Sequence, residues 1–181
     1  MRREFLTPSN ILSLIRAVLV VPFALLMLSS LPSARIWGAV IIVLGALTDR
    51  YDGILARKYG QETEWGRILD PLADKLAIAA IALVLLALGD IPLWYVLALL
   101  ARDALIFAGG MVIKIRSGVV LPSHPVGKVA VGIIALALFL LVVGGPSLPA
   151  TILIWASVLF LLLSLGLYAA RFVQEMKKAP A

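Results

Sequence analysis

Residues 47–76 read LTDRYDGILARKYGQETEWGRILDPLADKL, and they place four aspartates in a chain that is otherwise strongly apolar. Of the 181 residues, 62% are hydrophobic and only 14% are charged, whereas soluble domains carry about 25% charged residues. A soluble protein of this size cannot bury so much apolar surface, so the composition predicts an integral membrane protein. The four aspartates are Asp49, Asp52, Asp70 and Asp74.

The residue types that are scarce exclude several classes of function. The chain has no cysteine and a single histidine, His124, which excludes a disulfide framework and zinc sites built from several histidines or cysteines. The net charge is +6, but the basic residues gather at the ends of apolar stretches. That distribution is typical of membrane topology, and we expect no nucleic acid partner.

Six apolar stretches are each long enough to cross a hydrocarbon core of about 30 Å as an α-helix. They must be helical, because lipid offers the backbone no hydrogen-bond partners. The sequence therefore predicts an all-α integral membrane protein, a bundle of six transmembrane helices forming a single domain over residues 1–181. The predicted spans are residues 9–31, 34–57, 69–89, 92–114, 125–145 and 148–172.

The basic residues predict the orientation of this bundle. Six spans put both termini on one side of the membrane, together with the connections between the second and third spans and between the fourth and fifth spans. On the other side, Arg35 is the one basic residue that clearly lies in a connection. The positive-inside rule then places both termini and residues 47–76 at the cytoplasmic face. The first span is long and contains Arg16, unlike a cleaved signal peptide, and no transit peptide precedes it, which favours a prokaryotic cytoplasmic (inner) membrane. The basic residues predicted to be cytoplasmic are Arg2, Arg3, Arg57, Lys58, Arg67, Lys114, Arg116, Lys128, Arg171, Lys177 and Lys178.

The spacing of the aspartates indicates a shared site. Asp49 and Asp52 are three residues apart, and Asp70 and Asp74 four, so each pair lies on one helix face with Cβ atoms about 5–6 Å apart. A short connection makes the two helices neighbours. Four carboxylates at a membrane boundary are costly unless cations balance them. Oxygen-only ligation suits Mg²⁺ or Mn²⁺, and two such ions about 3.5–4 Å apart can hold a phosphoryl group during displacement.

Small and basic residues lie beside the aspartates. Gly53, Ala56 and Gly66 leave a smooth surface that suits either a ligand close to the backbone or close helix packing. Arg57 could bind a phosphate with its planar guanidinium, or extend to the interface as a topology residue.

The string Asp49-x2-Asp52-Gly53-x2-Ala56-Arg57-x8-Gly66-x3-Asp70-x3-Asp74 resembles the signature of the CDP-alcohol phosphotransferase family at all eight fixed positions. The stretches LTPSNILSLIRAVLVVPF, LLARDALI, VGKVAV and LLLSLGLYAARF are similar to segments of its phosphatidylglycerophosphate synthases and the related cardiolipin synthases. The resemblance implies a six-helix membrane enzyme, usually a homodimer, open to the cytoplasm. Such enzymes transfer a substituted phosphoryl group from a CDP-linked donor to an alcohol and release CMP.

The same resemblance implies roles for individual residues. Asp49, Asp52 and Asp70 would be the principal ligands of two divalent cations, and Asp74 would be a ligand or near-ligand and the general base. Asn10 would contact the nucleotide, although its position before an apolar run also suits a simple helix cap. The residues implied to bind the CDP moiety are Asn10, Asp52, Gly53, Ala56, Arg57 and Gly66.

A second group of basic residues could bind the acceptor alcohol. Arg102, Lys114, Arg116 and Lys128 lie around the fourth span and the connection that follows it, where an anionic acceptor such as glycerol 3-phosphate would suit them. Each could instead be a topology residue, and Arg102 with Asp103 could be a structural pair.

The sequence also departs from the pattern of the phosphatidylglycerophosphate synthases. Ala130 and Val131 stand where these enzymes often carry a lysine and a threonine. This departure keeps open other acceptors, namely phosphatidylglycerol, as in cardiolipin synthesis, inositol phosphate or serine.

The leading hypothesis is thus an enzyme that moves a phosphatidyl group from CDP-diacylglycerol to glycerol 3-phosphate. A cation or proton transporter is the alternative of a different class, because carboxylates inside a membrane often mark ion paths. A transporter would need polar residues deeper in the membrane. The helices instead read IWGAVIIVLGAL before Asp49 and LAIAAIALVLLALG after Lys75. A purely structural bundle would leave the paired aspartates without a purpose.

Overall fold

Six helices make up nearly all of the structure, a computed structural model that describes residues 8–59, 66–117 and 124–178. Side chains are described for residues 11–51, 72–116 and 124–177. Within these ranges there is no strand, which confirms the all-α prediction, and each predicted span overlaps one helix, although the first span was predicted to end at residue 31 and the last at residue 172. The helices are α1 Pro8–Met27, α2 Ala34–Tyr59, α3 Gly66–Ala87, α4 Leu93–Ser117, α5 Pro125–Gly144 and α6 Leu148–Lys178.

Three helices are long and apolar enough to cross a membrane, judged by length and composition over the described part of the chain. These three are Leu93–Arg116, Pro125–Gly144 and Leu148–Lys177. In α1 the apolar stretch Ile11–Met27 is shorter, and α2 and α3 contain the charged residues of the 47–76 stretch. The chain is therefore a membrane protein, while the count of six spans stays a prediction.

The chain divides into two compact units, and α1 is the helix that organises the first, Met1–Asp90 with Leu141–Gly145. It packs against both α2 and α3. A Cβ on Gly38 of α2 would lie only 2.7 Å from the sulfur of Met27, so the bare backbone allows α1 and α2 to approach closely. Met27 faces Gly38, whereas the earlier Arg16 faces the later Gly45, so the two helices run antiparallel.

Two helix ends in the first unit are closed by glycines with positive φ, Gly89 at +76° and Gly145 at +67°. Beyond α3, the Gly89 amide donates to the carbonyl of Leu86, and the Asp90 amide donates to the carbonyl of Leu85. This pair of bonds is the Schellman motif, in which glycine takes the left-handed conformation without a Cβ penalty. The motif fixes the backbone of Asp90 just past the helix.

Arg35, in the first turn of α2, joins these two helix ends. Its Nη2 donates to Asp90 Oδ2 at 2.7 Å, and its Nη1 donates to the carbonyl oxygen of Leu141 at 2.7 Å. The Leu141 carbonyl belongs to the last turn of α5, where a cation also interacts favourably with the helix dipole. Asp90 is 7% exposed, so Arg35 neutralises a buried carboxylate and ties three segments together.

In the second unit, Ile91–Leu140 with Pro146–Ala181, α4 and α6 run parallel in one fixed register. Three hydrogen-bonded pairs, here called the α4–α6 ladder, each join residues 62 positions apart. Successive pairs are seven and four residues apart, spacings that return to the same helix face. Serines at two of the positions allow the close helix approach typical of membrane bundles. The pairs are Tyr95–Ser157 at 2.7 Å, Arg102–Ser164 at 3.3 Å and Ile106–Tyr168 at 2.9 Å.

Replacing Arg35 by methionine should destabilise the protein, because it leaves the buried Asp90 carboxylate without this cation. We expect a loss of about 1–3 kcal/mol, the usual cost of an unsatisfied buried polar group. Thermal unfolding in detergent measures it. In an Asp90→Asn background the same substitution should cost clearly less, and an equal cost in both backgrounds would contradict the pairing.

Candidate functional site

Three helices of the first unit meet at one charged cluster, formed by Arg16 of α1, Asp49 of α2 and Asp74 of α3. The Nη1 of Arg16 lies 2.9 Å from Asp49 Oδ1, and the same nitrogen donates to Asp74 Oδ1. Since one nitrogen contacts both oxygens, the two carboxylates are immediate neighbours. We call these three residues the Arg16 cluster.

Burial differs sharply within the Arg16 cluster. The Arg16 side chain is only 5% exposed, whereas the carboxylates of Asp49 and Asp74 are 52% and 48% exposed. The cation is therefore enclosed by the helices, and the anions extend from it towards the surface. A buried charge is tolerated only when it is paired, and the half-exposed carboxylates pair with it while staying accessible.

Gly45 explains how the Arg16 side chain reaches these carboxylates. Gly45 is buried and lies one helical turn before Asp49, hence on the same face of α2. A Cβ at this position would lie 3.8 Å from Cγ of Arg16. The arginine stem thus crosses α2 over a glycine and places its guanidinium beside the carboxylate one turn further on.

All the other residues that the resemblance implies for the metal and CDP sites fall where no side chain is described. The helical backbone of α2 continues through 52–57, and that of α3 begins at 66 and continues through 70. The convergence of four aspartates is thus described for Asp49 and Asp74 alone, one from each predicted pair. The residues outside the described side chains are Asn10, Asp52, Gly53, Ala56, Arg57, Gly66 and Asp70.

Arg102 in the second unit is held by two partners. Its Nη1 donates to Asp103 Oδ1 at 2.7 Å, and its Nη2 donates to Ser164 Oγ at 3.3 Å. Adjacent residues do not normally face each other on a helix, but the long arginine side chain turns back to reach Asp103. The side chain is 12% exposed, and its buried Nε makes no hydrogen bond to any described residue. Arg102 and Asp103 thus form the structural pair that was one of the two interpretations of the sequence.

The start of α5 packs against the Arg102 guanidinium. A Cβ on Gly127 would lie 3.3 Å from Nη2 of Arg102, and the exposed Lys128 follows directly. Lys114 and Arg116 are exposed in the last turn of α4, about 18 and 21 Å along the helix from Arg102. Of the four basic residues predicted to bind the acceptor, Lys128 follows the glycine that packs on Arg102, whereas Lys114 and Arg116 lie further along α4.

Comparison with known proteins covers both of these sites. Residues 6–167 match the CDP-alcohol phosphatidyltransferase family, a range that includes the Arg16 cluster, Arg102 and Lys128. The chain belongs to this family. The resemblance seen in the sequence and the prediction of a transferase are therefore confirmed.

Curated relatives of this member of the family are named for different phospholipid products or for their substrates. A probable phosphatidylglycerophosphate synthase of Mycobacterium tuberculosis is 34% identical over 93% of the chain and 82% of its own length. A CDP-diacylglycerol–glycerol-3-phosphate 3-phosphatidyltransferase of Bacillus subtilis is 28% identical over 93% of the chain and 96% of its own length. A putative cardiolipin synthase of Mycobacterium tuberculosis is 36% identical over 71% of the chain and 61% of its own length.

The donors present in the Arg16 cluster fit a hard divalent cation. Asp49 and Asp74 are neighbouring, half-exposed carboxylates, and carboxylate oxygens are the ligands that Mg²⁺ and Mn²⁺ prefer. Within the described ranges, no group of three or more acidic, histidine or cysteine residues is placed to hold a metal. Further ligands would have to come from outside them, where Asp52 and Asp70 are the predicted candidates.

Arg16 is the residue of this candidate site that was not predicted from the sequence. In the sequence, Arg16 served only as evidence against a cleaved signal peptide. The signal that could have found it is an ionisable side chain in the middle of an apolar helix, because such residues usually pair with others and mark function. Its partners Asp49 and Asp74 lie 33 and 58 residues away in the chain, and no local pattern connects them.

Proposed function

We propose that the chain transfers the phosphatidyl group of CDP-diacylglycerol to glycerol 3-phosphate and releases CMP. The observation that carries this proposal is the pairing of carboxylates from α2 and α3 at Arg16, inside the stretch that matches the family. A relative named for this acceptor and one named as a probable phosphatidylglycerophosphate synthase each align with 93% of the chain, against 71% for the putative cardiolipin synthase. Membership of a transferase family favours the enzyme over a cation or proton transporter.

In the proposed reaction, the acceptor hydroxyl oxygen attacks the phosphorus that carries the diacylglycerol. A new phosphorus–oxygen bond forms while the bond between that phosphorus and the CMP oxygen breaks. The carboxylate of Asp74 accepts the proton of the hydroxyl, as a general base within hydrogen-bond reach can do. Its half-exposed position in the Arg16 cluster supports this role, because a substrate hydroxyl can approach it from the accessible side.

Two divalent cations, Mg²⁺ or Mn²⁺, complete the proposed site, held by Asp49, Asp52, Asp70 and Asp74. When bound, such ions stabilise the negative charge of the pyrophosphate and of the departing CMP. We further propose that the nucleotide and its phosphates lie along the small-residue surface beside these aspartates. The residues proposed for that contact are Asn10, Asp52, Gly53, Ala56, Arg57 and Gly66.

The proposed acceptor site centres on Arg102 and Lys128, with Lys114 and Arg116 further along α4. Asp103 and Ser164 fix the Arg102 guanidinium, and a planar, fixed guanidinium suits a phosphate better than a mobile one does. The phosphate of glycerol 3-phosphate would bind there. Phosphatidylglycerol is the second candidate acceptor, because a putative cardiolipin synthase is among the relatives; inositol phosphate and serine are further ones.

The proposed setting is a bundle of six transmembrane helices that forms a single domain in a prokaryotic cytoplasmic (inner) membrane. Both termini and the site would face the cytoplasm, where eleven basic residues of the predicted loops and ends would lie. Arg35, the exception on the other side, is paired with Asp90. The family match runs through both compact units, in favour of one domain. We also propose a homodimer, on the resemblance alone.

The direct test is CMP release from CDP-diacylglycerol by the purified protein in detergent with Mg²⁺ or Mn²⁺. Glycerol 3-phosphate should support it best among the four candidate acceptors, and a chelator should abolish it. Asp74→Asn should abolish turnover because the amide cannot accept the proton, while the variant stays folded. Asp90→Asn is the matched control, because Asp90 lies just past the far end of α3, which ends about 20 Å along the helix from Asp74, and this variant should keep its turnover. Lack of release with every acceptor would defeat the proposal.

Lys128→Ala and Ser164→Ala should raise the KM for glycerol 3-phosphate more than the KM for CDP-diacylglycerol. The first removes a charge near the acceptor phosphate, and the second releases one hydrogen bond of Arg102. Initial rates against each substrate measure both constants. Ser157→Ala is the matched control, since it removes the equivalent ladder hydroxyl seven residues earlier. Equal effects on both KM values would exclude this acceptor site.

A further inference from the structure

We propose that Arg16 is a positioning residue that holds Asp49 and Asp74 at a fixed separation and acts on phosphatidyl transfer through Asp74. The inference rests on the proposed function, because it concerns the same reaction. It adds a residue from α1 to a site whose signature residues all lie on α2 and α3.

The first support is the geometry of the contact. A single nitrogen, Nη1 of Arg16, contacts one oxygen of each carboxylate. Asp49 and Asp74 belong to different helices, and α1 packs against both of them. Arg16 is therefore a direct link between α2 and α3 at the level of the site.

The second support is the difference in burial. Arg16 is 5% exposed, so the surrounding helices restrict its position, whereas both carboxylates are about half exposed. Two neighbouring carboxylates repel each other, and half-exposed side chains can turn towards water. The enclosed guanidinium opposes both tendencies, since it donates a charge-assisted hydrogen bond to Asp74 and forms an ion pair with Asp49 in one place.

The third support is the path of the side chain. Gly45 leaves room for the aliphatic part of Arg16 where it crosses α2, and Asp49 lies one turn further on the same face. Among the described side chains, the only one that a Cβ on Gly45 would meet within 4 Å is that of Arg16, so this glycine bears on the site through Arg16 and not through the aspartates. The position of the guanidinium therefore depends on a small residue outside the signature.

The consequence for the reaction follows from distance. Asp74 can accept the acceptor proton only within hydrogen-bond reach, and a misplacement of about 1 Å can cost about 100-fold in rate. Losing a hydrogen-bonded partner of a site ligand typically costs about 10- to 100-fold. Removal of Arg16 should therefore lower kcat by a factor in this range.

The first experiment measures the link without any reaction. The chain has no cysteine, so spin labels can be attached at Tyr51→Cys on α2 and Leu76→Cys on α3, both exposed positions. Dipolar EPR then reports the distribution of distances between the two helices beside the site. We expect Arg16→Met to broaden this distribution and Arg16→Lys to restore it partly. Arg35→Met, which removes the other aspartate-paired arginine of the same unit, should leave it unchanged.

A second pair of variants moves Arg16 while keeping its charge. In Gly45→Ala the new Cβ would make an ordinary contact with the arginine stem at 3.8 Å, so the distance distribution should stay narrow. Gly45→Leu should displace the stem and broaden the distribution as Arg16→Met does. This pair separates a positioning role from a charge effect even if Arg16→Met folds poorly.

The kinetic experiment uses the same variants without labels. Arg16→Met and Gly45→Leu should lower kcat about 10- to 100-fold. Arg16→Lys should recover part of this loss, and Gly45→Ala should keep the kcat of the unmodified protein. A narrow distance distribution in Arg16→Met would overturn the link, and a broad one with normal kcat would overturn its role in the reaction. If the unmodified protein released no CMP with any acceptor, the proposed function would fail instead, while the EPR comparison would still decide the link.

Discussion

An arginine packed among apolar helices needs an anionic partner and room for its long side chain, and three such arginines organise the described structure. Each is paired with aspartate, and each lies against a glycine of another segment. The aspartate neutralises the charge, and the small residue lets the arginine lie close to the neighbouring segment. The three groups are Arg16 with Asp49 and Asp74 over Gly45, Arg35 with Asp90 beside Gly145, and Arg102 with Asp103 beside Gly127.

Exposure distinguishes the pair that only braces helices from the one at the candidate site. At Arg35 the carboxylate is enclosed and the cation is the more exposed partner. At Arg16 the order is reversed, because the cation is enclosed and the two carboxylates reach the surface. An enclosed anion is available to nothing but its arginine, whereas accessible anions can also meet an ion or a substrate. The same chemical pair thus braces helices in one place and leaves two carboxylates accessible at the candidate site in the other.

The helices follow from the sequence because apolar length and the backbone's need for hydrogen bonds are local properties. The ends of helices are less predictable. The first span was predicted to extend to residue 31, but α1 ends at Met27, where Ser29 folds back to donate to the carbonyl of Leu26. The last helix continues to Lys178, past its predicted end at residue 172, because a helix need not stop where its apolar run does.

The candidate site was predictable only in part, for a related reason. The spacing within each aspartate pair is local and visible in the sequence, so Asp49 and Asp74 could be singled out. The bond from Arg16 to Asp74 joins residues 58 apart, and the partners of a given arginine are chosen by helix packing that no local pattern encodes. Arg102 illustrates the same limit. Its bond to Asp103 ran against the usual rule for adjacent helix residues, and Ser164 lies 62 residues away.

The constant offset of the α4–α6 ladder constrains how this half of the chain can change in length. Adding one residue within either ladder helix would rotate everything beyond it by about 100° and separate the later rungs. An addition in α5 or in its connections would change the separation of 62 residues within each pair, but it would leave the paired faces of α4 and α6 intact. Length variation is thus confined to the return path between the two helices, while the paired faces of α4 and α6 can lengthen or shorten only together, by whole repeats.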